Sequence, residues 1–300
     1  MKLVRFSQNG SAPRVGALQG DRVVDLQASV AATLARRGVV RAEEIAAALV
    51  PASTRGFLEG GAAAQDAVAG ITEWVTLPRT AVRLHAPIAD PGKFICIGLN
   101  YRDHAEETGN PIPKEPPIFA KWNNSILDPG EPILRPRGSK QLDWEVELGV
   151  VIGRTARHVS REQALDYVWG YTIVNDVSAR DFQFITTQWG AGKIADTFAP
   201  VGPYIADRGE IRDPHSLELK TFVNDRQMQK GNTKTFIFNV NYIVSYLSGI
   251  MTLAPGDLIA TGTPPGVGFG MKPPVWLQPG DMVRMEITGL DTIENSVKDA

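Results

Sequence analysis

The segment from Trp144 to Ile152 constrains the fold of this 300-residue chain most strongly, because it is almost continuously apolar and yet contains two glutamates. A continuous apolar run is typical of a strand buried on both faces. Side chains alternate between the faces of a strand, so Glu145 and Glu147 fall on the same face. Neighbouring buried carboxylates repel each other and raise each other's pKa unless a cation compensates. A divalent cation with oxygen ligands would compensate, whereas a solvated strand face is the alternative interpretation of Glu-x-Glu alone.

A second apolar strand is predicted at Tyr171–Val177, and it contains Asn175 and Asp176 near its end. Asp176 is a candidate third metal ligand, and ordinary turn chemistry is the alternative for Asn-Asp at the end of a strand. Three carboxylates around Mg²⁺ would leave a net charge of about −1. A nearby lysine would then help to bind an anionic substrate, and Lys193, in a glycine-rich segment, is the candidate.

One of the four histidines stands out, because His104 lies three residues before Glu107. Positions i and i+3 are neighbours on a helix, so the carboxylate can orient and polarise the imidazole. A surface His–Glu pair is the alternative. The short helix predicted at Tyr101–Thr108 is followed by the proline-rich segment 111–117, which cannot continue a helix, so we expect the helix to move as a lid.

Composition excludes several classes of function. Lysine and arginine number 31 against 33 aspartates and glutamates, so the chain has no basic excess for binding a nucleic acid. The single cysteine, Cys96, rules out an internal disulfide and a cysteine metal site, and its apolar surroundings predict a buried thiol. The chain contains no nucleophile-elbow, P-loop or strand-linked dinucleotide-binding motif. The glycine-rich segment 262–270 is instead interpreted as a rigid loop whose backbone amides hold a carboxylate.

No segment predicts a membrane partner or secretion. Residues 1–6 are charged and lack the apolar core of a secretory signal, so we expect a cytoplasmic protein. The uncharged stretch 235–256 contains several polar residues and a proline, and we interpret it as a core helix that ends at Gly249. Its buried face is predicted to comprise Val240, Ile243, Val244 and Leu247.

Two domains are predicted. Residues 1–75 form a small N-terminal α+β domain, with short strands at Leu3–Phe6, Val15–Leu18 and Val23–Leu26 and helix-favouring sequence from 28 to 50. Residues 76–300 form the larger domain, whose many glycines and prolines favour short strands and turns. Within it, residues 160–163 match a capping box and predict a helix that extends to Val168.

Five segments in this order resemble the fumarylacetoacetate hydrolase (FAH) family, and the resemblance covers roughly residues 80–290. Their order makes the resemblance far more specific than any single motif. The segments are Phe94–His104, Asp143–Gly149, Asn175–Asp181, Lys193 with Asp196–Phe198, and Thr261–Gly268.

The resemblance implies an α+β, β-rich fold, with an FAH-type mixed β-roll catalytic domain and a homodimeric assembly. It implies Mg²⁺, with Mn²⁺ or Ca²⁺ as alternatives, bound by Glu145, Glu147 and Asp176. A small 2-oxo acid is the implied substrate. The implied catalytic residues are His104, Glu107, Lys193 and Gln183, and the implied substrate-binding residues are Tyr101, Arg180 and Thr263.

The reaction implied is hydrolysis of a carbon–carbon bond in a 2,4-dioxo acid, such as an acylpyruvate, fumarylpyruvate or fumarylacetoacetate, in the catabolism of aromatic compounds. The metal stabilises the enolate that leaves, and His104 with Glu107 activates water. The alternatives are an oxaloacetate decarboxylase, a decarboxylase, isomerase or hydratase of a 2-oxo diacid, a ureidoglycolate lyase, or an inactive metal-binding scaffold. Substrate specificity is expected from residues 112–118 and from aromatic neighbours.

Overall fold

A computed structural model describes all residues, Met1–Ala300, and shows the sheet-rich α+β fold that the sequence predicts. The nineteen strands are β1 (Lys2–Ser7), β2 (Arg14–Gln19), β3 (Arg22–Asp25), β4 (Thr76–Pro78), β5 (Arg83–His85), β6 (Phe94–Ile97), β7 (Ile118–Lys121), β8 (Ile126–Leu127), β9 (Ile133–Arg135), β10 (Leu142–Asp143), β11 (Val146–Ile152), β12 (Val168–Asn175), β13 (Ser178–Ala179), β14 (Ala199–Asp207), β15 (Glu218–Val223), β16 (Arg226–Asn232), β17 (Leu258–Ala260), β18 (Met282–Ile287) and β19 (Asp291–Asp299). The seven α-helices are α1 (Leu26–Arg36), α2 (Ala42–Leu49), α3 (Thr54–Glu59), α4 (Gly61–Ala69), α5 (Arg102–Glu107), α6 (Arg180–Gln183) and α7 (Val240–Ile250).

Most strands belong to two sheets. The larger sheet has twelve strands, with the order β4-β3-β2-β1-β14-β12-β11-β17-β6-β7, and β5 and β8 attach to β1 and β14. The smaller sheet has five strands, in the order β16-β15-β18-β19-β9. A separate two-stranded ladder joins β10 to β13. Pairing within the large sheet is mostly antiparallel, and β17 with β6 is a parallel pair.

Strand β11 lies near the middle of the large sheet and is buried over its whole length, as its apolar sequence predicts. It pairs with β12 on one side and β17 on the other. The ladder begins two residues later than the predicted strand, so Glu145 is in the extended segment just before it. Because Val146 lies opposite Asn175, the start of β11 meets the end of β12, and Asp176 N donates a hydrogen bond to the Glu145 carbonyl. This register places the candidate ligands side by side.

The N-terminal segment joins the same sheet. Its three predicted strands are confirmed as β1, β2 and β3, and β1 pairs with β14 and with β5. Leu3 and Val24 lie in one hydrophobic cluster with Phe94, Cys96 and Val151 from the rest of the chain. A domain boundary after residue 75 stays a prediction.

The helix predicted from the capping box at 160–163 is wrong. Only a short 3₁₀ helix forms, at Ala164–Tyr167, and β12 begins at Val168. The β-branched and aromatic residues that start β12 favour the strand, and too few residues remain for a full helix.

Helix α7 confirms the interpretation of segment 235–256. Val240, Ile243, Val244 and Leu247 are buried on one face, and the Asn239 side chain caps the helix by accepting from Tyr242 N. The helix ends at Ile250, one residue beyond the predicted Gly249. None of the helices is long and apolar enough to cross a membrane.

Candidate active site

The three predicted metal ligands lie together. Glu145, Glu147 and Asp176 are buried, and one carboxylate oxygen from each lies within 4.8 Å of the others. Glu145 precedes β11, Glu147 belongs to it, and Asp176 directly follows β12. The cluster therefore exists because two antiparallel strands of the central sheet meet at this end.

The donor set fits a hard divalent cation. Asp176 Oδ1 is buried and lies 2.6 Å from Lys121 Nζ, but the lysine donates its hydrogen bonds to the carbonyls of Val177 and Lys193. Asp176 Oδ1 thus accepts no hydrogen bond. Burial, together with the charges of Asp176 and Glu145, raises the pKa of Glu147 well above its ordinary value. A cation bound by these oxygens would relieve the repulsion among the carboxylates.

Buried cations already contact the cluster. Lys193 Nζ donates to Glu145 Oε2 and to Asp176 Oδ2, at 2.8 Å in each case. Arg180 Nη2 donates to Glu145 Oε1 at 2.6 Å. Burial by itself would raise the pKa of Glu145, but the charges of Lys193 and Arg180 outweigh burial and lower it. Burial likewise opposes the charged form of Lys193, but Asp176 and Glu145 raise its pKa, so the ammonium is retained.

Arg180 is held in place by hydrogen bonds to other side chains of the site. Its guanidinium donates to Asp143 Oδ2 at 2.8 Å and to Gln183 Oε1 at 2.9 Å, as well as to Glu145. Arg180 and Gln183 lie at the two ends of the short helix α6, three residues apart, so both side chains reach the same space. Both line the cleft described below.

The loop 262–270 holds carboxylates with its backbone amides, as expected, but these carboxylates belong to the protein itself. Gly262 N donates to Glu147 Oε2 at 2.8 Å. Gly268 N and Phe269 N donate to the two oxygens of Asp143, at 2.7 and 3.0 Å. A Cβ at Gly268 would lie 2.0 Å from the Val275 carbonyl, so only glycine permits this close approach.

The predicted His–Glu pair is confirmed in α5. His104 Nδ1 lies 2.8 Å from Glu107 Oε1, and the Gly266 amide donates to the same carboxylate at 2.9 and 3.1 Å. The side chains of His104 and Glu107 are only 8% and 20% exposed. Glu107 therefore fixes the ring through Nδ1 and leaves Nε2 available to a ligand, while the loop 262–270 anchors the helix.

One cleft connects these groups. Its walls include the carboxylates Glu145 and Glu147, the imidazole of His104, and the side chains of Lys193 and Thr263. The Thr263 hydroxyl donates to the Val146 carbonyl and accepts from Gln229 Nε2, which fixes its position.

Two sequence-based expectations concern groups that do not line the cleft, and both stay predictions. Tyr101 is buried and does not line the cleft: its ring packs 4.9 Å from that of Phe236, and its hydroxyl has no hydrogen-bond partner. Residues 112–118, expected to determine specificity, do not line it either. The prolines prevent continuation of α5, and the end of the segment lies beside the cleft, where the Pro117 carbonyl accepts a hydrogen bond from Gly98 N.

Sequence reasoning missed several residues that shape the site. Lys121 is a fully buried lysine in β7, and Asp143 is a buried aspartate that binds both Arg180 and the loop 262–270. Asp143 lies within the matched motif, two residues before Glu145, and this proximity was the available signal. Nothing in the sequence around Lys121 marks it, because its partners come from more than fifty residues away.

Comparisons with known proteins agree with this geometry. The family model for the fumarylacetoacetate (FAA) hydrolase C-terminal domain matches residues 93–298. A protein of Burkholderia lata, whose name provisionally calls it a hydrolase and gives no substrate, is 51% identical over 220 residues, which cover 73% of this chain and 78% of that protein.

Two solved structures are similar over the whole chain. Maleylpyruvate hydrolase from Sphingobium sp. SYK-6, in complex with manganese(II) and pyruvate, is 30% identical with a TM-score of 0.76, and the match covers 100% of both chains. The 2-hydroxyhepta-2,4-diene-1,7-dioate isomerase from Mycobacterium marinum is 33% identical with a TM-score of 0.74, covering 100% of this chain and 98% of that one. The chain therefore belongs to the fumarylacetoacetate hydrolase family.

Proposed function

We propose that this protein is a divalent-metal-dependent hydrolase that cleaves a carbon–carbon bond in 2,4-dioxo acids of the acylpyruvate type. The observation that carries the proposal is that His104, whose ring is held by Glu107, lines the same cleft as Glu145 and Glu147 of the carboxylate cluster. One group can activate water while the other holds the oxo acid. The relative crystallised with manganese(II) and pyruvate supports a reaction that releases pyruvate.

Glu145, Glu147 and Asp176 would hold the cation, and the proposed ion is Mg²⁺, with Mn²⁺ or Ca²⁺ as alternatives. When bound, such an ion polarises the oxygens of the 2-oxo acid group. Four buried carboxylates, including Asp143, lie among three buried cations, Lys121, Arg180 and Lys193. With all of these groups ionised, the four carboxylates and three cations together carry one negative charge. A bound divalent ion would change this to one positive charge. The cleft would then suit the carboxylate of the substrate.

His104 is the proposed general base. Its Nε2 accepts a proton from water, and the carboxylate of Glu107 stabilises the imidazolium that forms. The water oxygen bonds to the distal carbonyl carbon, and the C3–C4 bond then breaks. Its electron pair remains on the pyruvate fragment as an enolate, which takes up a proton to give pyruvate, and the acyl group leaves as a carboxylic acid.

Lys193 and Gln183 are the proposed partners of the substrate oxygens. A cation that occupies the carboxylates would replace Lys193 as their counter-charge, so the ammonium would be free to bind the oxo acid. Gln183 is held by Arg180, and Thr263 lies at the wall of the cleft beside Glu147.

An isomerase or decarboxylase of a 2-oxo acid is the second candidate. Both reactions need the enolate to be stabilised and need no water activation, so the carboxylate cluster with Lys193 would suffice. The similarity to an isomerase supports this candidate.

Assembly as a homodimer stays a prediction, which light scattering would test.

The variant His104→Ala separates the two candidates. We expect it to retain binding of Mn²⁺ and of oxalate, and to lose acylpyruvate cleavage by at least about 100-fold, because general base catalysis contributes roughly 10² to 10⁴ in rate. Oxaloacetate decarboxylation should change much less. The control is His158→Ala, which alters an exposed histidine outside the cleft. Cleavage of acylpyruvates by His104→Ala at the parental rate would rule out the proposed hydrolase mechanism and favour the decarboxylase.

A further inference from the structure

The cleft has a polar bottom and an aromatic mouth. Glu145, Glu147 and Lys193 are almost fully buried and form the bottom of the cleft. Phe184 lines the same cleft and is 51% exposed, so it lies at the mouth. Exposed aromatic side chains at the edge of a concave site are typical of a surface that binds an apolar ligand.

Aromatic pairs form two walls of the cleft. The rings of Phe184 and Phe269 lie 5.2 Å apart and those of Phe119 and Trp189 lie 5.7 Å apart, in tilted and edge-to-face arrangements. Gly98 also lines the cleft, and a Cβ at this position would lie 2.4 Å from the Trp189 ring. The glycine therefore allows Trp189 to pack directly against the backbone beside the cleft.

The cleft offers no cation to a second carboxylate. Arg180 and Lys193 are the only lysine or arginine residues in its lining. Arg180 is bound to Asp143, Glu145 and Gln183. Lys193 lies at the bottom of the cleft, where the first carboxylate of a 2-oxo acid would bind. The remaining polar groups toward the mouth, Thr108 and Asn110, are neutral. A carboxylate held there would lose water without gaining a counter-charge, and the electron-rich ring faces would disfavour it.

We propose that the substrate of this protein carries an apolar acyl group, preferably an aromatic one, and no second carboxylate. This inference rests on the proposed function for the identity of the bond that is cleaved. Benzoylpyruvate represents the favoured class. Maleylpyruvate represents the diacid class, to which the names of both solved relatives point. The chain would then differ from these relatives in its acyl specificity.

Binding tests the preference without requiring turnover. We would titrate the Mn²⁺-loaded protein with phenylpyruvate and with 2-oxoglutarate, which are 2-oxo acids with an aromatic and a carboxylate tail. We expect phenylpyruvate to bind at least about tenfold more tightly. Equal or tighter binding of 2-oxoglutarate would overturn the inference.

A variant at the mouth assigns the preference to the aromatic wall. Phe184→Ala should weaken phenylpyruvate binding by about tenfold and 2-oxoglutarate binding by much less, because it removes ring contact that only the aromatic tail can use. The control Trp74→Ala removes an equally exposed aromatic side chain, 50% exposed, outside the cleft, and should leave both affinities unchanged. Equal weakening of both acids by Phe184→Ala would contradict the assignment.

Cleavage assays separate this inference from the proposed function. Faster turnover of benzoylpyruvate than of maleylpyruvate would support both. Faster turnover of maleylpyruvate would overturn the inference and leave the hydrolase function intact. Turnover of neither acid by the Mn²⁺-loaded protein would overturn the proposed function, and the binding preference would still decide the inference.

Discussion

Replacing Glu107 by glutamine places an amide between two groups that both donate hydrogen bonds. The native carboxylate accepts from Gly266 N at 2.9 and 3.1 Å and lies 2.8 Å from His104 Nδ1. If the amide oxygen of the glutamine faces His104, its NH₂ group meets the Gly266 N–H. If the amide is reversed, NH₂ donates to Nδ1 and the ring proton must move to Nε2, which can then no longer act as a base.

The magnitude follows from the contact that is lost. A hydrogen bond to a charged group contributes about 1.5–3 kcal/mol, which corresponds to a roughly 10- to 150-fold change in rate. Solvent screening reduces this little, because the two side chains are only 8% and 20% exposed. The carboxylate interacts most strongly with the imidazolium that forms as water is deprotonated. The loss should therefore fall on kcat, with little change in KM.

The assay is steady-state cleavage of an acylpyruvate, followed by the loss of its enol absorbance. Glu106→Gln is the matched control, because it makes the same substitution at an exposed neighbouring position on the same helix. We expect Glu106→Gln to retain the parental kcat. The reasoning is refuted if Glu107→Gln retains it as well, or if both variants lose the same factor.

Further predictions concern stability and reactivity. Glu147→Gln retains an acceptor for the Gly262 amide but removes a repelling charge. It should therefore raise the metal-free Tm by up to about 4 °C and weaken Mn²⁺ binding at least about tenfold. A lower metal-free Tm in calorimetry would argue against repulsion. Gly98→Ala should lower the free energy of unfolding in urea by about 1–3 kcal/mol because of the Trp189 ring. Gly249→Ala, in a helix with open space around the new Cβ, should instead stabilise by about 0.5–1 kcal/mol, and equal effects would contradict the packing argument. Burial raises the pKa of the Cys96 thiol well above its ordinary value, so Ellman's reagent at pH 8 should detect a thiol only after denaturation.

The sequence determined those parts of the site that depend on the local period of the backbone. Strand alternation placed Glu145 and Glu147 on one face, and the 3.6-residue helical period placed His104 beside Glu107. The apolar pattern of α7 predicted its buried face for the same reason. The order of five motifs identified the family, and the family resemblance favoured Asp176 as the third candidate ligand over ordinary turn chemistry.

Tertiary structure alone decided which distant groups meet. Lys121 and Asp143 entered the site because β7 and β10 bring them to partners far away in the chain, and no local pattern encodes such pairings. The ring of Tyr101 packs against that of Phe236, which lies far away in the chain. The helix predicted after residue 160 failed because β12 competes for the same residues. Local geometry is set by neighbours in sequence, whereas strand register and burial are set by the whole sheet, so only the folded chain decides which side chains share a site.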